Sequence, residues 1–126
     1  METFLQDLSR RGITIHFISG AWSKAFVDLA SPPPPHSGRR TLILASETIY
    51  SPLSLGAFSE TLLALLHRPS SSGCALVAAK KVYFGVGGGV DEFLDVLKDI
   101  SSHPVEVECK KSIETEGVGR LILQIK

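Results

Sequence analysis

Apolar positions along the chain alternate between a helical and a strand rhythm. Phe4, Leu5 and Leu8 recur at helical spacing and Gly12 sits where a left-handed cap belongs, so residues 2–11 read as a short helix. Ile13-Thr14-Ile15-His16-Phe17-Ile18 is a β-branched and aromatic run, the pattern of a strand, and Ser19-Gly20 ends it. Trp22, Phe26 and Leu29 then give a second short helix with one apolar face. Thr41-Leu42-Ile43-Leu44-Ala45-Ser46 is continuously apolar between polar flanks, as a parallel strand covered on both faces would be. Ser51-Pro52 opens the next helix, with Ser as N-cap and Pro at the first helical position. Phe58, Leu62, Leu65 and Leu66 share one face of it, before Pro69 and the serine-rich turn 70–73.

Cys74 to Phe84 reads as a further strand, too apolar to be one-sided. After four glycines, Val90, Phe93, Leu94, Leu97 and Ile100 define an amphipathic helix, with Asp91 and Glu92 suited to its first turn. The alternation then changes. Val105–Cys109 and Leu121–Ile125 are strand patterns separated by a turn at 116–119 with no helix between, so they should pair antiparallel. The fold class is therefore α/β, a βαβαβ series closed by an antiparallel β-hairpin.

A length of 126 residues fits one domain, and 44% hydrophobic with 21% charged residues is ordinary for a globular protein. The proline-rich stretch 31–40 reads as an exposed loop inside that domain, not a boundary, because four prolines remove donors and favour extended geometry. Thirteen basic and thirteen acidic residues cancel, which argues against direct nucleic-acid binding or membrane-surface attachment through bulk charge. No apolar run is long enough to span a bilayer, and Met1–Asp7 lacks the basic flank and apolar core of a secretory signal. Cys74 and Cys109 suit reduced, buried thiols of an intracellular protein, a Cys74–Cys109 disulfide being the less favoured alternative. His16, His36, His67 and His103 have no ligand spacing among themselves or with the cysteines, so no metal site is expected.

Candidate chemistry concentrates at two strand ends. In an open α/β sheet, ligands bind in the crevice beyond the carboxyl ends of the strands. Ser46-Glu47-Thr48-Ile49-Tyr50 places a carboxylate and an aromatic at one such end; Lys80-Lys81-Val82-Tyr83-Phe84-Gly85-Val86-Gly87-Gly88-Gly89 places two lysines, two aromatics and a glycine run at the other. Lys80 and Lys81 alternate, so at most one faces the crevice. Glu47 can also be read as a loop cap, Tyr50 as cover for a sheet edge, and Trp22 as a core residue. Glycines before a helix invite a phosphate-binding reading, yet Gly-Val-Gly-Gly-Gly has neither the P-loop spacing nor a complete Gly-x-Gly-x-x-Gly.

These segments, with Ser19-Gly20-Ala21-Trp22, resemble the protein-histidine methyltransferase family of the seven-strand, S-adenosylmethionine-dependent methyltransferases. The resemblance covers nearly the whole chain apart from the proline loop. It implies the C-terminal half of a Rossmann-like sheet whose last strand lies antiparallel between the fifth and sixth. It implies S-adenosylmethionine as cofactor, transfer of a methyl group to a histidine ring nitrogen of a large-subunit ribosomal protein, and a cytoplasmic or nuclear location. By the same resemblance Glu47 and Tyr50 are catalytic candidates, Trp22 and Ser46 approach the cofactor, and Tyr83, Phe84, Gly85, Gly87 and Gly88 approach the peptide substrate. The family's cofactor-binding glycine loop after the first strand, and the acidic end of the second, have no counterpart in residues 1–12. The chain therefore resembles only the C-terminal part, a partial domain expected to be inactive alone. The alternative reading is a non-enzymatic interaction module that uses the strand edge at 41–46 or the proline loop.

Overall fold

The computed structural model describes residues 3–30, 40–68, 72–85, 87–114 and 117–126. Its elements in chain order are helices α1 (Phe4–Arg10) and α2 (Lys24–Ala30), strand β1 (Arg40–Ser46), helix α3 (Pro52–Leu66), strand β2 (Ser72–Lys80), helix α4 (Val90–Ile100), and strands β3 (Val107–Ile113) and β4 (Arg120–Ile125). The strands form one mixed sheet in the order β1-β2-β4-β3. β1 and β2 run parallel, with α3 as the crossover, and β4 inserts antiparallel to both β2 and β3. The α/β class and the closing hairpin follow the sequence pattern, and the order is compatible with the C-terminal part of a methyltransferase sheet.

One face of the sheet is covered. Ala75, Val77 and Ala79 of β2 with Leu123 and Ile125 of β4 are buried, because alternate residues of each strand point at the helices. Against them pack Phe58 and Leu62 of α3 and Phe93 and Leu97 of α4, and the rings of Phe58 and Phe93 lie 6.0 Å apart. Phe93 is fully buried, a contribution of about 1.5–3 kcal/mol by transfer from water. The period of α4 places Val90, Phe93 and Leu97 on that buried face.

The opposite face carries Leu42 and Leu44, which are 62% and 72% exposed. β1 was expected to be covered on both faces. One face is instead open to solvent through alternate side chains, while the apolar edge expected at 41–46 is present: β1 is an edge strand of the described sheet. The strand expected at 13–18 does not form: these residues pair with no described strand, and Phe17 is 85% exposed. A strand is held by its ladder, and no described strand lies beside this segment.

Three further expectations are corrected. The strand from Cys74 ends at Lys80, not Phe84, since Lys81 turns its N–H to the Gly119 carbonyl at 2.9 Å. Ser51 precedes α3 in extended conformation with Pro52 at the first position, but its side chain makes no capping bond. Cys109 is exposed, because β3 is an edge strand open along its whole length, while Cys74 is half-buried and accepts from Gln124 Nε2 at 3.1 Å. Both thiols are free. The proline loop, apart from Arg40, lies outside the described residues. Among the described residues no helix is long and apolar enough to cross a membrane.

Candidate functional site

The parallel pairing of β1 with β2 aligns Ser46 with Ala78, so the two candidate strand ends finish side by side. The chain then reverses at Glu47, whose φ of 57° is a left-handed conformation rare for a residue with a side chain. Its N–H still reaches across to the Ala78 carbonyl at 3.0 Å, which extends the ladder by one bond and fixes the backbone that carries the carboxylate. A strained turn held at a strand end is a common way of presenting a functional side chain.

Ser46 and Glu47 line a cleft of about 480 Å³ on the uncovered face, together with Lys80, Lys111, Ile113 and Arg120. It is thus walled by the β1 end, the β2 end and the hairpin. Of the two lysines, Lys80 lines the cleft and Lys81 turns away to pair with Glu114 beyond β3. That hydrogen bond and the Lys81 charge hold the Glu114 carboxyl below its ordinary value.

Behind the cleft, the loops after β1 and β2 interlock. A side chain at Gly88 would collide with the Tyr50 carbonyl and come within 2.7 Å of the Ile49 oxygen, so only glycine allows this backbone approach. Gly85 and Gly87 have φ of 80° and 88°. The loop is closed by its own backbone: Tyr83 N–H donates to Gly88 O, Gly87 N–H to Tyr83 O, and Val90 N–H to Lys81 O.

Tyr83 and Phe84 part company. Tyr83 is 8% exposed, its ring edge-on to Tyr50 at 6.3 Å, and its hydroxyl accepts the Lys80 N–H at 3.1 Å. The Tyr83 phenol is pushed above its ordinary 10.0, chiefly by burial, with the negative charge of Glu47 adding to the rise, partly offset by the Lys80 N–H and by Arg120. Phe84 and Gly85 are exposed, and Tyr50 is about half exposed. The candidate residues around the two strand ends are therefore brought together, Ser46 and Glu47 in the cleft, Tyr50, Tyr83 and Gly88 behind it, and Phe84, Gly85 and Gly87 on the outer surface.

Trp22 is not brought there. It packs edge-on to Phe26 and Phe58, each at 5.3 Å, and lines a separate hollow of about 310 Å³ with residues of α2 and α3. Trp22 and Ser46, the two residues expected near a cofactor, thus face different hollows, and the described residues do not assemble one pocket for S-adenosylmethionine.

Lys111, Ile113 and Arg120 were missed by sequence reasoning. The strand pattern was legible only to Cys109, and an irregularity between Cys109 and Lys111 changes which residues face the cleft. A simple alternation through 105–113 misplaces Lys111 and Ile113, while Arg120 stands one residue before the strand pattern at 121–125.

No family model matches the chain. Curated relatives do. It is 35% identical over 127 residues to histidine protein methyltransferase 1 of Saccharomyces cerevisiae, covering 100% of this chain and 33% of that protein. It is 37% identical over 130 residues to the Schizosaccharomyces pombe protein of that name, covering 98% of this chain and 34% of the relative. The histidine protein methyltransferase 1 homolog of Bos taurus is 42% identical over 124 residues, covering 98% and 30%. The chain spans about a third of the length of these relatives. Over that third, and along its own full length, this chain belongs to the histidine protein methyltransferase family.

Proposed function

We propose that this chain is the substrate-side part of an S-adenosylmethionine-dependent methyltransferase acting on a histidine ring nitrogen of a protein. The observation that carries the reading is Glu47, a carboxylate held at a strand end by a left-handed turn and a ladder hydrogen bond, on the wall of a cleft. An imidazole that takes a methyl group attacks through one neutral nitrogen, so the other carries the proton. A carboxylate accepting that N–H selects the tautomer and stabilises the positive charge that develops on the ring, the service an aspartate performs for histidine in hydrolytic triads. Little else is asked of the protein besides alignment and exclusion of water. Ser46 and Lys80 border the position an imidazole would take against Glu47, and Tyr50 and Tyr83 give the wall an aromatic backing.

The cofactor is proposed from the family, and the residues described supply its substrate side rather than its pocket. The protein substrate is proposed to be a large-subunit ribosomal protein, met in the cytoplasm or nucleus. The test grafts these 126 residues in place of the matching segment of the Saccharomyces cerevisiae relative. Tritiated S-adenosylmethionine is then supplied with large-subunit ribosomal proteins, and the hydrolysate is examined for methylhistidine. Methylhistidine in the product is expected; label confined to lysine, or no label from a folded graft, would contradict the proposal. Calorimetry of the isolated chain should show no saturable binding of S-adenosylmethionine.

A second reading, a protein-interaction module, is favoured by one observation, the edge strand β1 with Leu42 and Leu44 exposed. An unpaired apolar edge is a template for another strand. It would be supported by a stable complex that protects the β1 amides from hydrogen exchange while the graft shows no transfer.

A further inference from the structure

Behind the cleft, the ring contact of Tyr50 with Tyr83 ties the two loops together. Tyr83 is almost wholly buried, and its hydroxyl oxygen accepts the Lys80 N–H at 3.1 Å. That bond uses a lone pair and leaves the phenolic proton to be donated. Glu47 is anchored two residues earlier on the same strand, through its N–H to the Ala78 carbonyl at 3.0 Å. The phenol oxygen and the backbone that carries the Glu47 carboxylate are therefore both fixed to one short stretch of β2, at Lys80 and at Ala78. The Tyr50 ring lies edge-on to the phenol at 6.3 Å, and the Gly88 carbonyl accepts the Tyr83 backbone N–H at 3.1 Å.

We propose that Tyr83 is a positioning residue, donating its phenolic proton to the Glu47 carboxylate and so fixing which carboxylate oxygen remains for an acceptor imidazole. The inference rests on the reading of Glu47 given above. It reassigns Tyr83, which the sequence resemblance placed against the peptide substrate. Phe84, the neighbouring ring, is 77% exposed and is the one left to meet a partner. The elevated Tyr83 phenol agrees with the pairing, since a hydrogen bond from the neutral phenol to a carboxylate, and the negative charge itself, both oppose ionisation. The other charged groups around the phenol are the Lys80 ammonium, 5.8 Å from the ring centroid, and Arg120 of β4, which lowers its pKa. Glu47 is the carboxylate that acts against them.

The test is a titration of the isolated 126-residue chain carrying Tyr50→Phe, so that Tyr83 is the one tyrosine, labelled at its ζ-carbon and followed by NMR. Its midpoint is expected above 10.0 and is expected to fall toward that value on Glu47→Gln. A midpoint that does not respond to Glu47→Gln overturns the inference. The titration needs no substrate or turnover, so its failure is separable from failure of Glu47 as the imidazole acceptor. In the grafted enzyme, Tyr83→Phe keeps the ring and removes the donor. It should lower kcat about tenfold with Glu47 present and have no further effect with Glu47→Gln; an equal loss in both backgrounds would show that Tyr83 acts through packing alone.

Discussion

Glu47 adopts a backbone conformation, φ 57°, that costs an L-residue about 1 kcal/mol. Glycine would relieve that strain while making the unfolded chain more flexible. Glu47→Gly should therefore change stability in urea by no more than about 1 kcal/mol in either direction. A larger loss would show that the carboxylate carries structure rather than being held for chemistry. Gly88 is the opposite case, since any Cβ falls on the backbone of Ile49 and Tyr50. Gly88→Ala should destabilise the chain by about 2–3 kcal/mol, read from the urea midpoint, because neither loop can yield without breaking its own hydrogen bonds. Tyr83 gives a pH signature. Its phenol ionises near 10.0 in the unfolded chain and at a higher value in the folded one. The linked stability is complete below about pH 10 and is lost as pH rises through the folded value. Urea midpoints compared between the natural chain and Tyr83→Phe across pH 9 to 11 should show the extra alkaline loss only with tyrosine present.

The elements differ in how far their sequences declare them. The strong period of Val90, Phe93 and Leu97 marks α4, and the Ser51-Pro52 start marks α3, because each pattern is local and answered by the same helix-covered face. β1 is equally apolar along its length, yet only its alternate residues are partly covered, since its neighbours determine whether both faces are packed. Ile13 to Ile18 has the composition of a strand and remains unpaired for the same reason. Strand identity is a property of partners as much as of residues. The exposed edge should have a measurable consequence. Leu44→Lys places a charge on the outward face of β1 and should reduce self-association of the isolated chain in sedimentation velocity at raised concentration. Unchanged association would show that β1 is not the adhesive edge.

At the scale of the whole molecule, the sheet order β1-β2-β4-β3 converts two separated sequence motifs into neighbours. The expectation that the residues after Ala45 and after Lys80 meet was legible, because parallel strands joined by a helix finish at the same end. The inward turn of Tyr83 and the outward turn of Phe84 were not, since a loop closed by backbone hydrogen bonds has no side-chain period to read. The contribution of Lys111 was hidden by the irregularity in β3, and that of Arg120 by its place one residue before the apolar run 121–125. Trp22 was ambiguous between core and site, and its contacts with Phe26 and Phe58 place it in an aromatic cluster away from the cleft. The covered face is packed by α3 and α4, whereas the face bearing the cleft is bare in the described residues. That arrangement agrees with a chain that spans a third of its relatives' length.

The most direct measurement is kcat for methyl transfer to histidine by the Saccharomyces cerevisiae relative carrying this chain as its matching segment, with Glu47 and with Glu47→Gln. Glutamine keeps the size and a hydrogen-bonding end but cannot stabilise the charge on the methylated ring. A loss of about 10²–10⁴-fold in kcat, with the graft still folded, is the expected result. A kcat within about twofold of the unsubstituted graft would contradict the assignment of Glu47 as the acceptor of the imidazole proton.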